Sequence, residues 1–338
     1  MPYEAPPDLA EFVRQMPKTE THLHMEGACP WSLLQATNAA KYTSPPAFWA
    51  DDFRYESFYQ FMDLYVEYCA EFFSSAKRYH DAAKIVLQNC LDQGCRYVET
   101  SFHLPSLLYI EDNGPTVIEA IRSAAPAGLE LRVFAGMCHN DYVDAGKDLI
   151  ESCLTWTGLD GIDLHGWEDI PVEPWTDDIW ARARQAGKFT KAHAGEFMGA
   201  DFVELVLDRL KVPRIQHGVR AVENPSTVQR LVDEGIALDV CPISNVKLAV
   251  KGISAMNQHP LRQLFDAGVK VTINSDDPFF FGNRLEEEYY AVHQELGFSR
   301  TDLVQLARNG FELSLVTESQ RTSWLTDLDG FAAENTSN

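Results

Sequence analysis

Short apolar runs alternate with longer amphipathic segments along the chain. Runs typical of β-strands end at residue 24 and occupy residues 96–102, 131–135, 161–164, 189–193, 214–217, 236–240 and 269–274. Most of them are separated by segments whose apolar residues recur at helical spacing, such as residues 202–210 and 225–234. The alternation predicts eight β/α units.

Eight β/α units favour a single (β/α)8 barrel of the TIM type, which carries its active-site side chains at the C-terminal ends of its strands. An open doubly wound sheet is the alternative, but no glycine-rich nucleotide-binding loop or Walker loop follows any predicted strand. The aromatic-rich segment 53–90 has helical spacing, and we expect extra helices over the C-terminal face of the barrel. We expect residues 1–338 to form one domain, with a disordered polar tail from about residue 326 to residue 338.

The composition excludes several classes of partner. The chain has 338 residues, of which 45% are hydrophobic, and a formal net charge of −22. A field of this sign repels nucleic acids and anionic membranes, so we expect neither as a partner. No run of about 18 apolar residues and no secretory leader is visible. The seven cysteines contain no Cys-x-x-Cys pair, which is typical of reduced thiols in a cytoplasmic protein.

His22 and His24 stand two residues apart at the end of the first predicted strand. Residues i and i+2 of a strand point to the same face, so both imidazoles would project in one direction. Neutral imidazole is the commonest nitrogen ligand of zinc. A single His-x-His pair is as often a turn or surface pair, so the hypothesis of a metal site depends on further ligands downstream.

Histidines and carboxylates recur at the C-terminal ends of other predicted strands. His193 ends the fifth strand, with Glu196 three residues later, and His217 ends the sixth. Asp276 and Asp277 follow the eighth. A buried core histidine or a turn aspartate explains any one of them, but their coincidence at one face of a barrel indicates a functional site.

Five motifs in this order and spacing resemble those of the adenosine deaminase family of the amidohydrolase superfamily. The motifs are THLHMEG at 21–27, HAGE at 193–196, RIQHGV at 214–219, CPISNVK at 241–247 and NSDDP at 274–278. The resemblance covers nearly the whole chain, from about residue 16 to about residue 315. It implies a barrel with one zinc ion per chain that deaminates a 6-aminopurine by hydrolysis. Iron or cobalt would suit the same ligands.

The resemblance also implies roles for single residues. The zinc ligands would be His22, His24, His193 and Asp276. Glu196 would protonate ring nitrogen N1, and His217 would be the base that orients the attacking water. Asp277 would be the acceptor facing N7, and the backbone N–H of Gly166 would meet N3. Attack at C6 puts electron density on N1, so Glu196 has to be protonated, and its pKa has to be raised.

The substrate is less closely defined, because the chain departs from the adenosine-specific pattern. Glu26 replaces the aspartate that binds the ribose 5′-hydroxyl in adenosine deaminases, Ser101 replaces an arginine, and Trp167 replaces an aspartate. Glutamate at the first position is also common in the adenine and modified-purine deaminases of the family. Those base deaminases, however, tend to carry a serine pair where this chain has His165 and Gly166.

Adenosine, giving inosine and ammonia, is the single best guess from the sequence. The alternatives are deamination of adenine or of an N6- or 5′-modified adenine or adenosine, a non-catalytic purine-binding protein, and a different hydrolase of the superfamily. Trp167 is a candidate to stack on a purine, although core packing explains it as well. The sequence leaves the oligomeric state open.

Overall fold

The computed structural model describes residues 3–336, which contain eight parallel strands in one sheet. The strands are β1 (Lys18–His24), β2 (Cys95–His103), β3 (Glu130–Cys138), β4 (Gly161–His165), β5 (Phe189–Ala194), β6 (Arg214–His217), β7 (Ala237–Val240) and β8 (Val271–Ile273). They pair in sequence order from β1 to β8. The predicted TIM-type barrel is confirmed.

The barrel closes between its first and last strands just beyond the end of β8. The backbone N–H of Asp276 donates to His22 O, and the N–H of His24 donates to Asp276 O, both at 3.0 Å. This exchange makes an isolated parallel bridge between Leu23 and Asp276. The same hydrogen bonds fix the position of the NSDDP segment against the HLH segment.

Helices surround the barrel and cover its mouth. They are α1 (Pro7–Gln15), α2 (Trp31–Thr37), α3 (Phe58–Phe72), α4 (Ala76–Asp92), α5 (Gly114–Ser123), α6 (Asp144–Cys153), α7 (Pro174–Gln185), α8 (Ala200–Leu210), α9 (Pro225–Asp233), α10 (Pro242–Lys247), α11 (Leu261–Asp266), α12 (Pro278–Phe281), α13 (Leu285–Leu296), α14 (Arg300–Leu313) and α15 (Glu318–Asn335). Short 3-10 helices occupy Ala47–Trp49, Leu104–Tyr109, Val219–Glu223 and Met256–Gln258.

Capping residues and glycines mark the ends of several of these helices. Asn113 and Asn224 cap α5 and α9 by accepting from the N–H groups of Thr116 and Ser226, and each precedes a proline or a proline-containing first turn. Gly235 follows α9 with a φ of +66°, a left-handed conformation that glycine adopts without a steric cost. The chain then enters β7 directly, as the sequence predicted.

Extra helices lie over the C-terminal face, as expected. Residues 47–55 contact the short helix α12 that follows the aspartate pair: Trp49 Nε1 donates to Phe279 O, and Tyr55 OH donates to Phe280 O at 2.9 Å. The ring of Phe61, in α3, stacks on Phe281 with centroids 5.5 Å apart. The segment between β1 and β2 therefore packs against the wall of the barrel mouth.

The expectation of a disordered tail from residue 326 is wrong as far as residue 335. These residues belong to α15, which begins after Thr317, whose side chain accepts from Gln320 N. Leu328 is fully buried, and the ring of Phe331 lies 5.1 Å from the ring of Phe12. The polar composition reflects one exposed face of a packed helix. Residues 337–338 lie outside the described residues.

Two further properties of residues 3–336 bear on the sequence analysis. None of their helices is long and apolar enough to cross a membrane. The seven cysteines, all of which fall in this range, are buried thiols without a disulfide partner there.

Candidate active site

Histidines from three strands meet a carboxylate at the C-terminal mouth of the barrel. His22 Nε2 lies 3.1 Å from His193 Nε2 and 3.2 Å from Asp276 Oδ1. His217 Nε2 is 3.8 Å from Asp276 Oδ2. Ligand atoms of these four buried residues all lie within 4.8 Å of one another. The ends of β1, β5 and β6 and the segment after β8 thus bring these four side chains into one cluster.

The outer nitrogens of two of these imidazoles fix their tautomers. His22 Nδ1 lies 3.1 Å from the carbonyl oxygen of Asp239, and His193 Nδ1 lies 3.1 Å from that of Leu164. A carbonyl only accepts, so each Nδ1 carries the proton and each Nε2 presents a lone pair. Two lone pairs and the Asp276 carboxylate therefore converge on one point. This set of acceptors fits a divalent cation with tetrahedral nitrogen and oxygen ligands.

His24 adjoins the cluster from the other side of Asp276. Its Nδ1 lies 3.1 Å from Asp276 Oδ1 and 3.2 Å from Asp277 Oδ1. Burial lowers the pKa of His24, but the two carboxylates outweigh it and hold the pKa well above its usual range. Its Nε2 is buried and has no hydrogen-bond partner within residues 3–336. A metal ion would take the place of the extra proton.

Two residues of the cluster have strained backbones. His217 has a φ of +63° and Asp276 a φ of +64°, in the left-handed region that few residues other than glycine adopt. Glu20 holds the backbone next to Asp276 in place: its carboxylate accepts hydrogen bonds from the N–H of Ser275 at 3.1 Å and from the Ser275 hydroxyl at 2.9 Å. Such strain persists where surrounding contacts hold it, and it is typical of functional sites.

Glu196 has the environment that a protonated acid requires. Its Oε1 lies 3.5 Å from His217 Nε2, and the side chain is buried. Burial raises the pKa of Glu196 well above its usual range, and the nearby charges of Asp276 and Glu168 raise it further. Glu168, which follows β4, also accepts hydrogen bonds from the N–H groups of Glu196 and Phe197 at 3.1 and 3.0 Å and so holds the loop after β5.

A relay of hydrogen bonds sets the tautomer of His217. The N–H of Leu261 donates to His259 Nδ1, so the neutral His259 carries its proton on Nε2, 3.1 Å from Asn245 Oδ1. Asn245 Nδ2 therefore faces His217 Nδ1, at 3.2 Å, and donates to it. Burial holds the pKa of His217 well below its usual range. Neutral His217 thus carries its proton on Nε2, the nitrogen that faces Glu196 and Asp276.

Of the predicted substrate contacts, Asp277 lies beside the cluster, with its Oδ1 3.2 Å from His24 Nδ1, whereas Gly166 lies just after the end of β4. Asp277 packs over Gly27, where a Cβ would lie only 1.6 Å from Asp277 Oδ1, so this position of the HLHMEG motif has to be glycine. Burial raises the pKa of Asp277 to about 6. Gly166 follows β4 with a φ of +88°, and a Cβ there would approach Cys138 Sγ to 2.8 Å.

Glu26 and Trp167 contact residues outside the cluster. Glu26 Oε1 accepts from Tyr79 OH at 2.6 Å and from His103 N at 3.0 Å. Its Oε2 is buried and has no hydrogen-bond partner among the described residues, so it is available to a ligand. The half-buried Trp167 packs edge-to-face on Phe58, with ring centroids 5.8 Å apart. This contact with α3 is the packing role that the sequence left open for Trp167.

Several supporting residues were not identified from the sequence. They are Glu20, Asp163, Glu168, Asp239, Ser244, Asn245 and His259. Ser244 and Asn245 lie in the CPISNVK motif, to which the sequence analysis assigned no role, and Glu168 directly follows Trp167. Ser244 Oγ donates to Asp276 Oδ2 at 2.6 Å. His259 lies in a loop before α11, outside every motif.

Comparison with known proteins agrees with this geometry. Residues 17–330 match the family model described as adenosine deaminase. An adenine deaminase of Ectopseudomonas mendocina is 33% identical over 90% of this chain and 99% of its own length. One from Hahella chejuensis is 30% identical over 96% of this chain and 99% of its own length.

A solved structure supports the same assignment. The adenine deaminase of Arthrobacter aurescens superposes with a TM-score of 0.82 at 25% identity, covering 94% of this chain and 99% of that chain. The family predicted from the five motifs is thereby confirmed. The chain belongs to the adenosine deaminase family and is a hydrolase that acts on carbon–nitrogen bonds of cyclic amidines.

Proposed function

We propose that this protein deaminates a 6-aminopurine by zinc-dependent hydrolysis and that adenine is its preferred substrate. The observation that carries the proposal is the buried Glu196 carboxyl, 3.5 Å from His217 and next to the cluster of His22, His193 and Asp276. The site therefore combines a proton donor, a polar group for water and a set of metal ligands.

The proposed zinc ligands are His22, His24, His193 and Asp276. The convergence of two imidazole lone pairs and a carboxylate supports this set, and the unpartnered Nε2 of His24 leaves a nitrogen of that ring free to bind a metal. Zinc, when bound, would lower the pKa of a water molecule towards 7 and so allow attack at neutral pH. Asp239 and Leu164 would hold two of the imidazoles in the ligating tautomer through their carbonyl oxygens.

Glu196 and His217 would act on the purine and on the water respectively. Protonated Glu196 would donate to N1, where electron density develops as C6 is attacked. His217 would orient the water through its Nε2–H, which refines the predicted role of base, because Asn245 occupies the lone pair on Nδ1. The proton lost by the attacking water would return Glu196 to its acid form, and the proton of the hydroxyl on C6 would pass to the amino group, which leaves as ammonia and gives the 6-oxopurine.

Two remaining groups would bind the purine ring. We assign the backbone N–H of Gly166 to N3 and the side chain of Asp277 to N7. With a pKa raised to about 6, Asp277 exchanges its proton near neutrality and is able to donate to N7 or to accept from it. Trp167 would cover the pocket from the side of α3, where it already packs on Phe58.

The choice of adenine over adenosine departs from the best guess made from the sequence. The relatives with 30–33% identity are named adenine deaminases, and Glu26 replaces the shorter aspartate of the nucleoside enzymes. The Glu26 carboxyl is fixed by Tyr79 and the His103 backbone, which leaves less room for a sugar. The His165-Gly166 pair, where base deaminases carry serines, favours an N6- or 5′-modified substrate as the second candidate.

A turnover screen tests this assignment. The zinc-loaded protein would be assayed for ammonia release from adenine, adenosine, N6-substituted adenines and 5′-modified adenosines. We expect adenine to react with a kcat/KM of about 10⁴ M⁻¹s⁻¹ or more, as is usual for a physiological substrate. Faster turnover of adenosine would contradict the choice of the free base. A preference for a modified purine would select the second candidate.

Glu26→Asp tests the sugar argument separately. The shorter side chain would lose contact with Tyr79 and open space, so the ratio of adenosine to adenine turnover should rise. An unchanged ratio would show that Glu26 does not discriminate between base and nucleoside.

A cytoplasmic location remains part of the proposal, supported by the buried free thiols of the described chain.

A further inference from the structure

A second cluster of metal-ligating side chains lies on the other half of the barrel mouth. His103, Cys138 and His165 are the last residues of β2, β3 and β4, three adjacent strands. Cys138 and His165 are paired in register, and ligand atoms of all three residues lie within 4.8 Å of one another. The cluster shares no residue with the proposed catalytic zinc site, whose ligands come from β1 and β5 and from the segment after β8.

The spacing of the two imidazoles matches that of the first cluster. His103 Nδ1 lies 3.0 Å from His165 Nε2, compared with 3.1 Å between His22 Nε2 and His193 Nε2. Two nitrogens bound at about 2.0–2.1 Å to one tetrahedral zinc lie about 3.3 Å apart. A hydrogen bond between the imidazoles has a similar length, so the thiol of Cys138 is what distinguishes a ligand set from a simple pair.

Two glycines provide the space that the cluster occupies. A Cβ on Gly136 would lie 2.6 Å from Cε1 of His165, and a Cβ on Gly166 would lie 2.8 Å from Cys138 Sγ. Side chains at these positions would displace the His165 ring or the thiol. Backbone close to the side chains on both sides therefore keeps the two potential ligands in place.

We propose that His103, Cys138 and His165 bind a second divalent transition-metal ion. The ion would be zinc or another metal that, like zinc, is intermediate between hard and soft Lewis acids. Two imidazoles and one thiolate are ligands that zinc and its neighbours prefer, and three protein ligands leave a fourth position for water. His103 and His165 are half-buried whereas Cys138 is buried. The ion therefore reaches the site from the barrel mouth.

Binding requires one proton to leave. The Cys138 S–H bond breaks, the sulfur lone pair forms the bond to the metal, and the proton is released to solvent. Each imidazole stays neutral: it donates its lone pair from His103 Nδ1 or His165 Nε2 and keeps its proton on the opposite ring nitrogen. Burial, together with the adjacent Asp141 carboxylate, raises the pKa of the Cys138 thiol well above its usual range. The metal-free thiol is thus protonated at neutral pH.

Cobalt titration of the metal-free full-length protein tests the proposal without any assay of turnover. Thiolate ligation to Co²⁺ produces a charge-transfer band in the near ultraviolet, and the proposed catalytic ligands contain no thiolate. We expect two Co²⁺ ions per wild-type chain and a charge-transfer band that rises with one of them. Cys138→Ser should bind one ion and lose the band, and His165→Asn should do the same.

Two further variants separate this site from the catalytic one. Cys153→Ser removes another buried thiol, one that bonds to Ile150 O within α6, and should keep both ions and the band. Asp276→Ala should lose one ion and keep the band. One ion per wild-type chain without a charge-transfer band would overturn the proposal, and so would a band retained in folded Cys138→Ser. Because metal binding is measured directly, these outcomes are distinguishable from a failure of the proposed deaminase activity.

Discussion

Asn245 connects His217 to His259. Its Nδ2 lies 3.2 Å from His217 Nδ1 and its Oδ1 lies 3.1 Å from His259 Nε2. Because the His259 ring is itself oriented by the N–H of Leu261, the amide has only one favourable orientation. The position of the proton on His217 is therefore decided by a backbone N–H two side chains away.

Asn245→Ala should release His217 from this tautomer. We expect kcat to fall about 10–100-fold, the usual effect of removing a side chain that orients a catalytic imidazole, with unchanged zinc content. Steady-state kinetics together with metal analysis measure this. Asn257→Ala, an exposed position before α11, is the matched control and should behave as wild type. A wild-type kcat in Asn245→Ala would contradict the relay.

Glu196→Gln should abolish the proton donation to N1. Glutamine keeps the size of the side chain but has no acidic proton, so kcat should fall about 10²–10⁴-fold. Zinc content should stay the same, since Glu196 is outside the proposed ligand set. The exposed Glu119→Gln serves as the control. Near-normal turnover by Glu196→Gln would remove Glu196 from its role.

Glu168→Gln should shift the pH dependence of the reaction. The negative charge of Glu168 contributes to the raised pKa of Glu196, after burial and Asp276. Removing that charge should lower the pKa of Glu196, and the proposed role of Glu196 requires its protonated form. The alkaline limb of kcat/KM should therefore move to lower pH.

The shift depends on the ionisation of Glu168 itself. Burial raises the pKa of Glu168 to about 7, so its charge is present above about pH 7, where the alkaline limb is measured. The exposed Glu173→Gln should leave the profile unchanged. A limb that stays in place, or moves to higher pH, in Glu168→Gln would show that Glu168 acts only by holding the loop after β5.

Leu328→Ala tests whether α15 is part of the folded core. Leu328 is fully buried, and truncating a buried leucine costs about 2–5 kcal/mol of unfolding free energy. Urea unfolding would measure the loss. Leu205→Ala, at a site where leucine is 39% exposed, should cost much less. A change below about 0.5 kcal/mol in Leu328→Ala would support the disordered tail expected from the sequence.

The sequence predicted the barrel because its signals are local. Several strands carry a candidate site residue at or next to their C-terminal end, such as His24, His193 or His217, and the structure places these three residues there. The clustering of these side chains follows from the topology alone, since parallel strands carry their C-terminal ends to one face. The residues proposed to carry out the chemistry could therefore be identified from the sequence alone.

The residues that orient or hold these site residues could not be identified from the sequence in the same way. His259 acts through Asn245, and Glu20 acts through Ser275, across sequence separations that no local pattern reveals. The expectation of a disordered tail was wrong for a related reason, because α15 packs against α14 and places Phe331 against Phe12 of α1, and no local pattern shows these contacts. Tertiary packing outweighs local composition in both cases.

Ammonia release from adenine by the protein with its metal removed and then restored tests the central claim most directly. The metal-free protein should be inactive, because His22, His193 and Asp276 then present acceptors with no cation between them. Addition of zinc should restore turnover in wild type but not in Asp276→Ala. Zinc-loaded wild-type protein that releases no ammonia from adenine, adenosine or their N6- and 5′-modified derivatives would contradict the account.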